Sequence, residues 1–468
     1  IIPVIVFYYS KFSLKATIDG RKKGVETELL FFAIFCDIMD NAQSRIYKVF
    51  SVILNDTSNL FPHIKKEALL LNRNVMIFGE SQFDALRDLA KTHPSEAFAE
   101  FIRGYLTSQS QGGRDTGDYL AEKTRELQVS SRQKMTAYIG TSDSITQMVS
   151  FGLMFFPMGI VMGSMMISGS VLFLLTIFGI IFIPPIMIVM IMKINSIQPF
   201  MTNALKFRKE PVIISGIVFV IAIILGLGYW EITGLPLFVW SLSNYLLVRH
   251  NFRVNSKVDK AVPQFIRDMN QSMISTPSFF KSFQQIEKRN SYTPDFNKIL
   301  REIKMQTVLG DQLYDVMQNI KLNSWLAKLV INLLSFTAKS GVITPNIMNK
   351  LALFSSYYLE SKKEMLDKTS TAVMMGYMGP IIVVTMVLIM PSVDVTSIVE
   401  NVDDISEIEL DDSLRSLNSA LVVIVSFFSL MVVSKIRYLT IYHSLHTAII
   451  VAIVCLMFYY DKFVGINL

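Results

Sequence analysis

The sequence predicts an all-α fold, a polytopic helical membrane protein with two homologous cytoplasmic helical-bundle domains, and three observations predict it. Of 468 residues, 51% are hydrophobic and only 18% charged, against about 25% charged in an ordinary soluble domain. The hydrophobic residues cluster into charge-free runs; the longest, Ser144 to Met192, holds no Asp, Glu, Lys or Arg and is long enough for two crossings. The charge is gathered instead into two stretches, about 11–143 and 249–368, and those stretches repeat each other.

A bilayer core of about 30 Å needs roughly 20 apolar residues at 1.5 Å each. Runs near that length occur at about 145–167, 171–192, 211–229, 233–248, 371–391, 417–434 and 444–460, which predicts seven crossings. Ile1 to Tyr9 reads as the last turns of another, because the chain opens inside an apolar run without an initiator Met. The expected organisation is then as follows: residues 1–10 end a truncated transmembrane helix; 11–143 form a first cytoplasmic helical domain; 144–248 carry four transmembrane helices; 249–370 form a second cytoplasmic helical domain; and 371–468 carry three more transmembrane helices with an acidic extracytoplasmic loop at 392–415. Neither charged stretch shows sustained period-2 alternation, so both read as helical.

Sidedness follows from the bases. If the seven runs alternate, all of the 44 Lys and Arg except Arg415 and Lys462 fall on one side. The juxtamembrane residues Lys193, Lys206, Arg208, Lys209, Arg249, Arg253, Lys368, Lys435 and Arg437 agree, and such residues mark the cytoplasmic face. The other face receives the Trp230 to Gly234 loop and Ser392 to Ser413, with eight acids and no base. The net charge of +6 is therefore explained by anionic lipid of the bilayer, and no nucleic acid is expected as a partner. Cys36 and Cys455 fall in different compartments and imply no disulfide.

The repeat carries the organisation. Gly79-Glu80-Ser81-Gln82-Phe83-Asp84-Ala85-Leu86 matches Gly310-Asp311-Gln312-Leu313-Tyr314-Asp315-Val316-Met317 as Gly, acid, two variable positions, aromatic, Asp, small, apolar. Further on, Phe98, Phe101, Ile102 and Tyr105 form the i, i+3, i+4, i+7 stripe of an amphipathic helix, and Leu326, Leu329, Val330 and Leu333 repeat it; Gly113 likewise maps onto Gly341. After each copy comes a charged helix and then a run holding Pro and Gly, Pro157 with Gly159 and Gly379 with Pro380. Two readings of the acids stand side by side. Glu80, Asp84, Asp311 and Asp315 favour helix starts, where the macrodipole prefers negative charge, or they contact a partner.

In these residues, in Gln111 to Gly113 and in Ser340 to Gly341, and in their duplicated order, nearly the whole chain resembles the type II secretion system F family, in particular the archaeal branch of archaellum and pilus platform proteins. The resemblance implies a membrane assembly platform of a type IV pilus-like filament machine. Such a platform docks a hexameric secretion ATPase on the cytoplasmic side and passes its motion to pilin-like filament subunits. A homo-oligomer, a dimer, in the cell membrane is expected, and the recurrence of Glu80, Asp84, Asp311 and Asp315 in both copies makes them the expected partner contacts.

No chemistry competes for the assignment. There is no Gly-x-x-x-x-Gly-Lys-Ser/Thr phosphate loop and no His-Glu-x-x-His zinc site, the two signatures that would argue for nucleotide or metal hydrolysis. Hence no catalytic residue, cofactor or metal is expected. Among His63, His93, His250, His443 and His446, only the last pair is close, at a spacing that places both on one face of a helix. The rival is a polytopic secondary transporter, with Pro184-Pro185 breaking a helix at a site. Against it stands the absence of Asp, Glu, Lys and Arg within the seven runs, where coupled transport needs charge.

Overall fold

The computed structural model describes residues 2–41, 44–55, 60–111, 116–163, 169–198, 208–276, 278–289, 291–320, 322–339, 343–389 and 412–464. Every regular element among them is a helix. The first nine are α1 (Ile2–Asn41), α2 (Ile46–Asn55), α3 (Pro62–Met76), α4 (Gln82–Thr92), α5 (Glu96–Ser110), α6 (Thr116–Gly163), α7 (Gly169–Ser196), α8 (Glu210–Ile224) and α9 (Tyr229–Ser275). The rest are α10 (Phe279–Arg289), α11 (Pro294–Val308), α12 (Leu313–Asn319), α13 (Trp325–Lys339), α14 (Pro345–Lys368), α15 (Ser370–Ile389), α16 (Asp412–Tyr438) and α17 (Leu445–Val464). Gly113, Gly341 and residues 390–411 of the acidic stretch lie outside the described residues.

The chain divides into two compact units, the first comprising Ile1–Met135, Pro199–Asn203 and Asn251–Lys362. Within it the order of helices recurs. The 15-residue α3 and α11 both open with a proline at the first helical position, where its missing N–H costs nothing. Both are followed by a glycine at positive φ, Gly79 at +70° and Gly310 at +106°, a conformation open to glycine without a Cβ penalty. A short helix follows, α4 or α12, and then the 15-residue α5 or α13.

Each of these last helices is capped by a serine: the Phe98 N–H donates to Ser95 Oγ at 3.4 Å and the Ala327 N–H to Ser324 Oγ at 3.1 Å. Each serine in turn donates to an acid of a long preceding helix, Ser95 to Glu26 of α1 at 3.0 Å and Ser324 to Asp259 of α9. The stripes expected to be apolar faces are the core: Phe98, Phe101, Ile102, Tyr105 and Leu326, Leu329, Val330, Leu333 are all buried.

The sequence reading gives 11–143 and 249–370 a domain each, whereas both stretches belong largely to this one unit and share its interior. Phe31 of α1 meets Trp325 with ring centroids 4.6 Å apart and Phe35 meets Phe336 at 6.0 Å. The Lys350 ammonium lies 2.7 Å from Asp37. α1 serves both stripes: Phe32 meets Phe101 of α5 with ring centroids 5.8 Å apart, and Phe35 lies with Val52 and Ile53 beside Leu329 and Leu333 of α13.

The second unit comprises Thr136–Gln198, Ala204–His250 and Lys363–Leu468. Four stretches of the described chain are long and apolar enough to cross a membrane: Phe173–Asn195, Pro345–Ile389, Arg415–Tyr438 and Leu445–Lys462. α16 is the central one, packed against α7, α15 and α17, with Val423, Leu430, Val433, Ile450, Val451 and Val454 at its core. Close approach depends on small residues, as is usual between helices in lipid. A Cβ on Gly376 would come within 2.8 Å of Leu430, and one on Gly234 within 2.6 Å of Cys455 Sγ. α7 turns Phe173, Leu174, Phe182 and Val189 outward, as a lipid-facing helix does.

The remaining runs are helical but differ from the expectation. Run 211–229 forms the 15-residue α8, about 22 Å long, which ends near Gly226 at φ +63°. Run 233–248 is the interior of the 47-residue α9. Pro157, Pro184, Pro185 and Pro380 all sit inside continuous helices, so none of them breaks its helix; prolines are tolerated where neighbouring groups satisfy the backbone they free.

Candidate functional site

The repeated turn is the candidate site. In the first copy, α3 ends through the Ile77 N–H donating to Arg73 O, and the chain reverses with the Glu80 N–H donating to Asn74 O at 3.2 Å. In the second, the Leu309 N–H donates to Met305 O at 3.1 Å and the Asp311 N–H to Gln306 O at 3.3 Å. Ser81 caps α4 by accepting from the Asp84 N–H at 3.1 Å, and its hydroxyl donates back to the Asp84 carboxylate at 2.6 Å. Arg87 adds an exposed ion pair to Asp84 at 3.2 Å. The helix-start role is thus realised for Asp84. Asp315 stands in the first turn of α12 without a side-chain cap at Gln312, so only the dipole favours it there.

Asp84, Asp311 and Asp315 are exposed and Glu80 is half-buried. Among the described residues no hydrogen bond or ion pair joins one copy's acids to the other's.

The turn has a second component that the acids alone do not reveal. Met76, Ile77 and Phe78, just before Gly79, are 72%, 72% and 63% exposed, and Val308 and Leu309, just before Gly310, are 64% and 81% exposed. Each copy therefore offers an apolar tip beside its acids. The signal was in the sequence, Met-Ile-Phe-Gly against Thr-Val-Leu-Gly, but apolar residues next to a helix end read as core until their exposure is seen.

The buried charges of the first unit are structural. Glu67 accepts two hydrogen bonds from Arg21, at 2.8 and 2.6 Å. Burial pushes its carboxyl up, and Arg21 and His93 together more than offset this, holding it down at about 2. Glu28 has no cation bonded to it; it accepts the His63 and Ile64 N–H groups at the start of α3, both at 2.8 Å. Burial dominates there and raises it to about 7. A cavity between Phe35, Phe61, Leu333 and Phe336 encloses about 10 Å³, room for a single water and not for a substrate.

Among the described residues no group of three or more His, Cys, Asp and Glu could hold a metal ion, and Cys36 and Cys455 are both free thiols. The histidine pair does not share a helix face. α16 ends near Leu439 at φ +57° and α17 starts only at Leu445, so His443 sits in the turn. Ser444 ends that turn, its carbonyl accepting the first helical bond from the Ala448 N–H.

No family profile, no curated protein and no solved structure matches the chain.

Proposed function

We propose that this chain is the membrane assembly platform of a type IV pilus-like filament machine, docking a hexameric secretion ATPase and passing its motion to pilin-like subunits. The observation that carries the reading is the turn made twice, with a positive-φ glycine, an exposed apolar tip and acids recurring in the same helix order in a chain with several membrane helices. A partner built of identical subunits offers the same complementary surface more than once, and a duplicated tip suits it. On this reading the two copies are homologous, both cytoplasmic, and the chain acts as a dimer. Catalysis belongs to the ATPase.

The test is binding of the purified ATPase to the protein in lipid discs. Asp84→Lys combined with Asp315→Lys reverses rim charge without emptying a core, which changes association and leaves folding intact. An affinity loss of about tenfold or more, roughly 1.4 kcal/mol, identifies the turns as the docking site. Undiminished affinity removes these residues from it. Filaments that persist after deletion of the gene reject the platform itself.

A further inference from the structure

Across the second unit, the ends of α16 and α17 and of the apolar stretch of α9 beside them are charged in opposite styles. At one end, Arg415 of α16 pairs with Asp461 of α17 at 3.0 Å and Lys462 of α17 pairs with Glu231 of α9 at 3.0 Å. Following α9 from Glu231 to Arg249, or α16 from Arg415 to Arg437, covers about 27 and 33 Å at 1.5 Å per residue, the thickness of a bilayer core. At this far end no acid among the described residues pairs with the arginines. Among the described residues neither Arg249 nor Arg437 makes a hydrogen bond or an ion pair, and Arg437 Nε is buried with no hydrogen-bond partner.

Both guanidiniums rest on aromatic rings. Arg249 lies 5.8 Å from the Tyr245 ring centroid and Arg437 5.7 Å from that of Tyr438. Between these two tyrosines sits His443, 5.5 Å from Tyr245 and 3.9 Å from Tyr438. His446 fixes the array from below, one ring nitrogen 2.9 Å from the Tyr377 hydroxyl and the other 3.1 Å from that of Tyr438. Lys435, the third cation there, is bonded to neutral oxygens, Asn195 Oδ1 and Leu439 O, both at 2.9 Å. The arginines thus lie within cation–π reach of these rings, each with its side-chain hydrogen-bond donors uncommitted, at the depth where span meets head group.

We propose that Arg249 and Arg437 form a head-group site for anionic phospholipid, each guanidinium donating to phosphate oxygens. A guanidinium fork suits phosphate, cation–π attraction to the rings favours its position, and tyrosines at helix ends belong to the interface. The site needs only the membrane reading and is independent of any filament partner.

The protein is reconstituted in phosphatidylcholine vesicles with a minor fraction of spin-labelled phosphatidylglycerol, and the enrichment of the labelled lipid at the protein is measured. The intact protein should enrich the anionic lipid over spin-labelled phosphatidylcholine. Arg249→Gln and Arg437→Gln should each lower that enrichment about fivefold, while Arg249→Lys with Arg437→Lys retains part of it and Arg415→Gln, at the other end, leaves it unchanged. Equal affinity of the intact protein for the two lipids overturns the proposal without recourse to any variant, and so does full enrichment in the folded double glutamine variant. A third arm adds inorganic phosphate to the protein in detergent. Saturable binding there that abolishes the lipid preference would assign the arginines to a soluble phosphate and reject the lipid.

Discussion

Arg21→Met removes the two hydrogen bonds that hold Glu67 and leaves its carboxylate, 1% exposed, with only His93 nearby at 3.6 Å, beyond hydrogen-bond reach. Stranding one partner of a buried pair costs about 3–5 kcal/mol. The lower end applies, because the Arg21 side chain is 37% exposed and water can enter where it stood, so about 3 kcal/mol is expected. Cys36 reports it: the thiol is buried in α1, the helix that carries Arg21, and reacts only when that region opens. A loss of about 3 kcal/mol accelerates its labelling by a thiol reagent about 150-fold at pH 7, while Cys455 in the second unit keeps its rate. The pair's contribution is fully present above the ordinary carboxylate value of 4.5 and is lost as pH falls through about 2. The gap between variant and wild type should therefore close over that window. Less than threefold acceleration at pH 7, or a gap that persists at pH 2, would refute the account.

Other outcomes follow from neighbouring groups. Glu28 is raised from 4.5 to about 7, so the wild-type fold loses stability as pH rises between these values, by up to about 3 kcal/mol; Glu28→Gln should flatten that profile in Cys36 labelling from pH 4.5 to 8, and an unchanged slope would dismiss Glu28 as its source. A Cβ at Gly79 or Gly310 meets nothing within 4 Å, so alanine there should cost backbone strain alone, about 1–2 kcal/mol. Gly20→Ala, inside the exposed part of α1, should instead stabilise by about 1 kcal/mol; denaturant titration distinguishes the two signs. For topology, a cysteine replacing Ser278 should be protected from an impermeant reagent in intact cells and one replacing Ser406 labelled, and the reverse pattern would invert the proposed orientation.

The helical class was legible because charge-free runs and i, i+3, i+4 stripes are local. Phe98 to Tyr105 and Leu326 to Leu333 are buried as their spacing requires. What stayed hidden is non-local. Nothing in the sequence stops α9 where its apolar run ends at Val248, because neither Gly nor Pro falls between it and Lys260, and so an apolar run and a charged stretch become one helix. The single interior shared by both repeats was equally hidden, since Phe31 and Trp325 are far apart along the chain and an apolar stripe does not say what covers it. For the candidate turn, the acids were readable from the duplicated motif and the exposed apolar tips were not.

The ion pairs at one end of the membrane helices also give this protein an electrical polarity. Arg415 with Asp461 and Lys462 with Glu231 sum to zero, whereas Arg249 and Arg437 stand uncompensated across the bilayer from them. A transmembrane voltage acts on such an arrangement whatever machinery inserts it. With 100 mV negative on the arginine side, the field favours this orientation over its inverse by about 2.3 kcal/mol per charge, or about 7 kcal/mol for the two arginines and Lys435, which is bonded only to neutral oxygens. If the arginine end faces the negative side, an energised membrane favours that orientation of the bundle, and a depolarised one gives up that part of the preference.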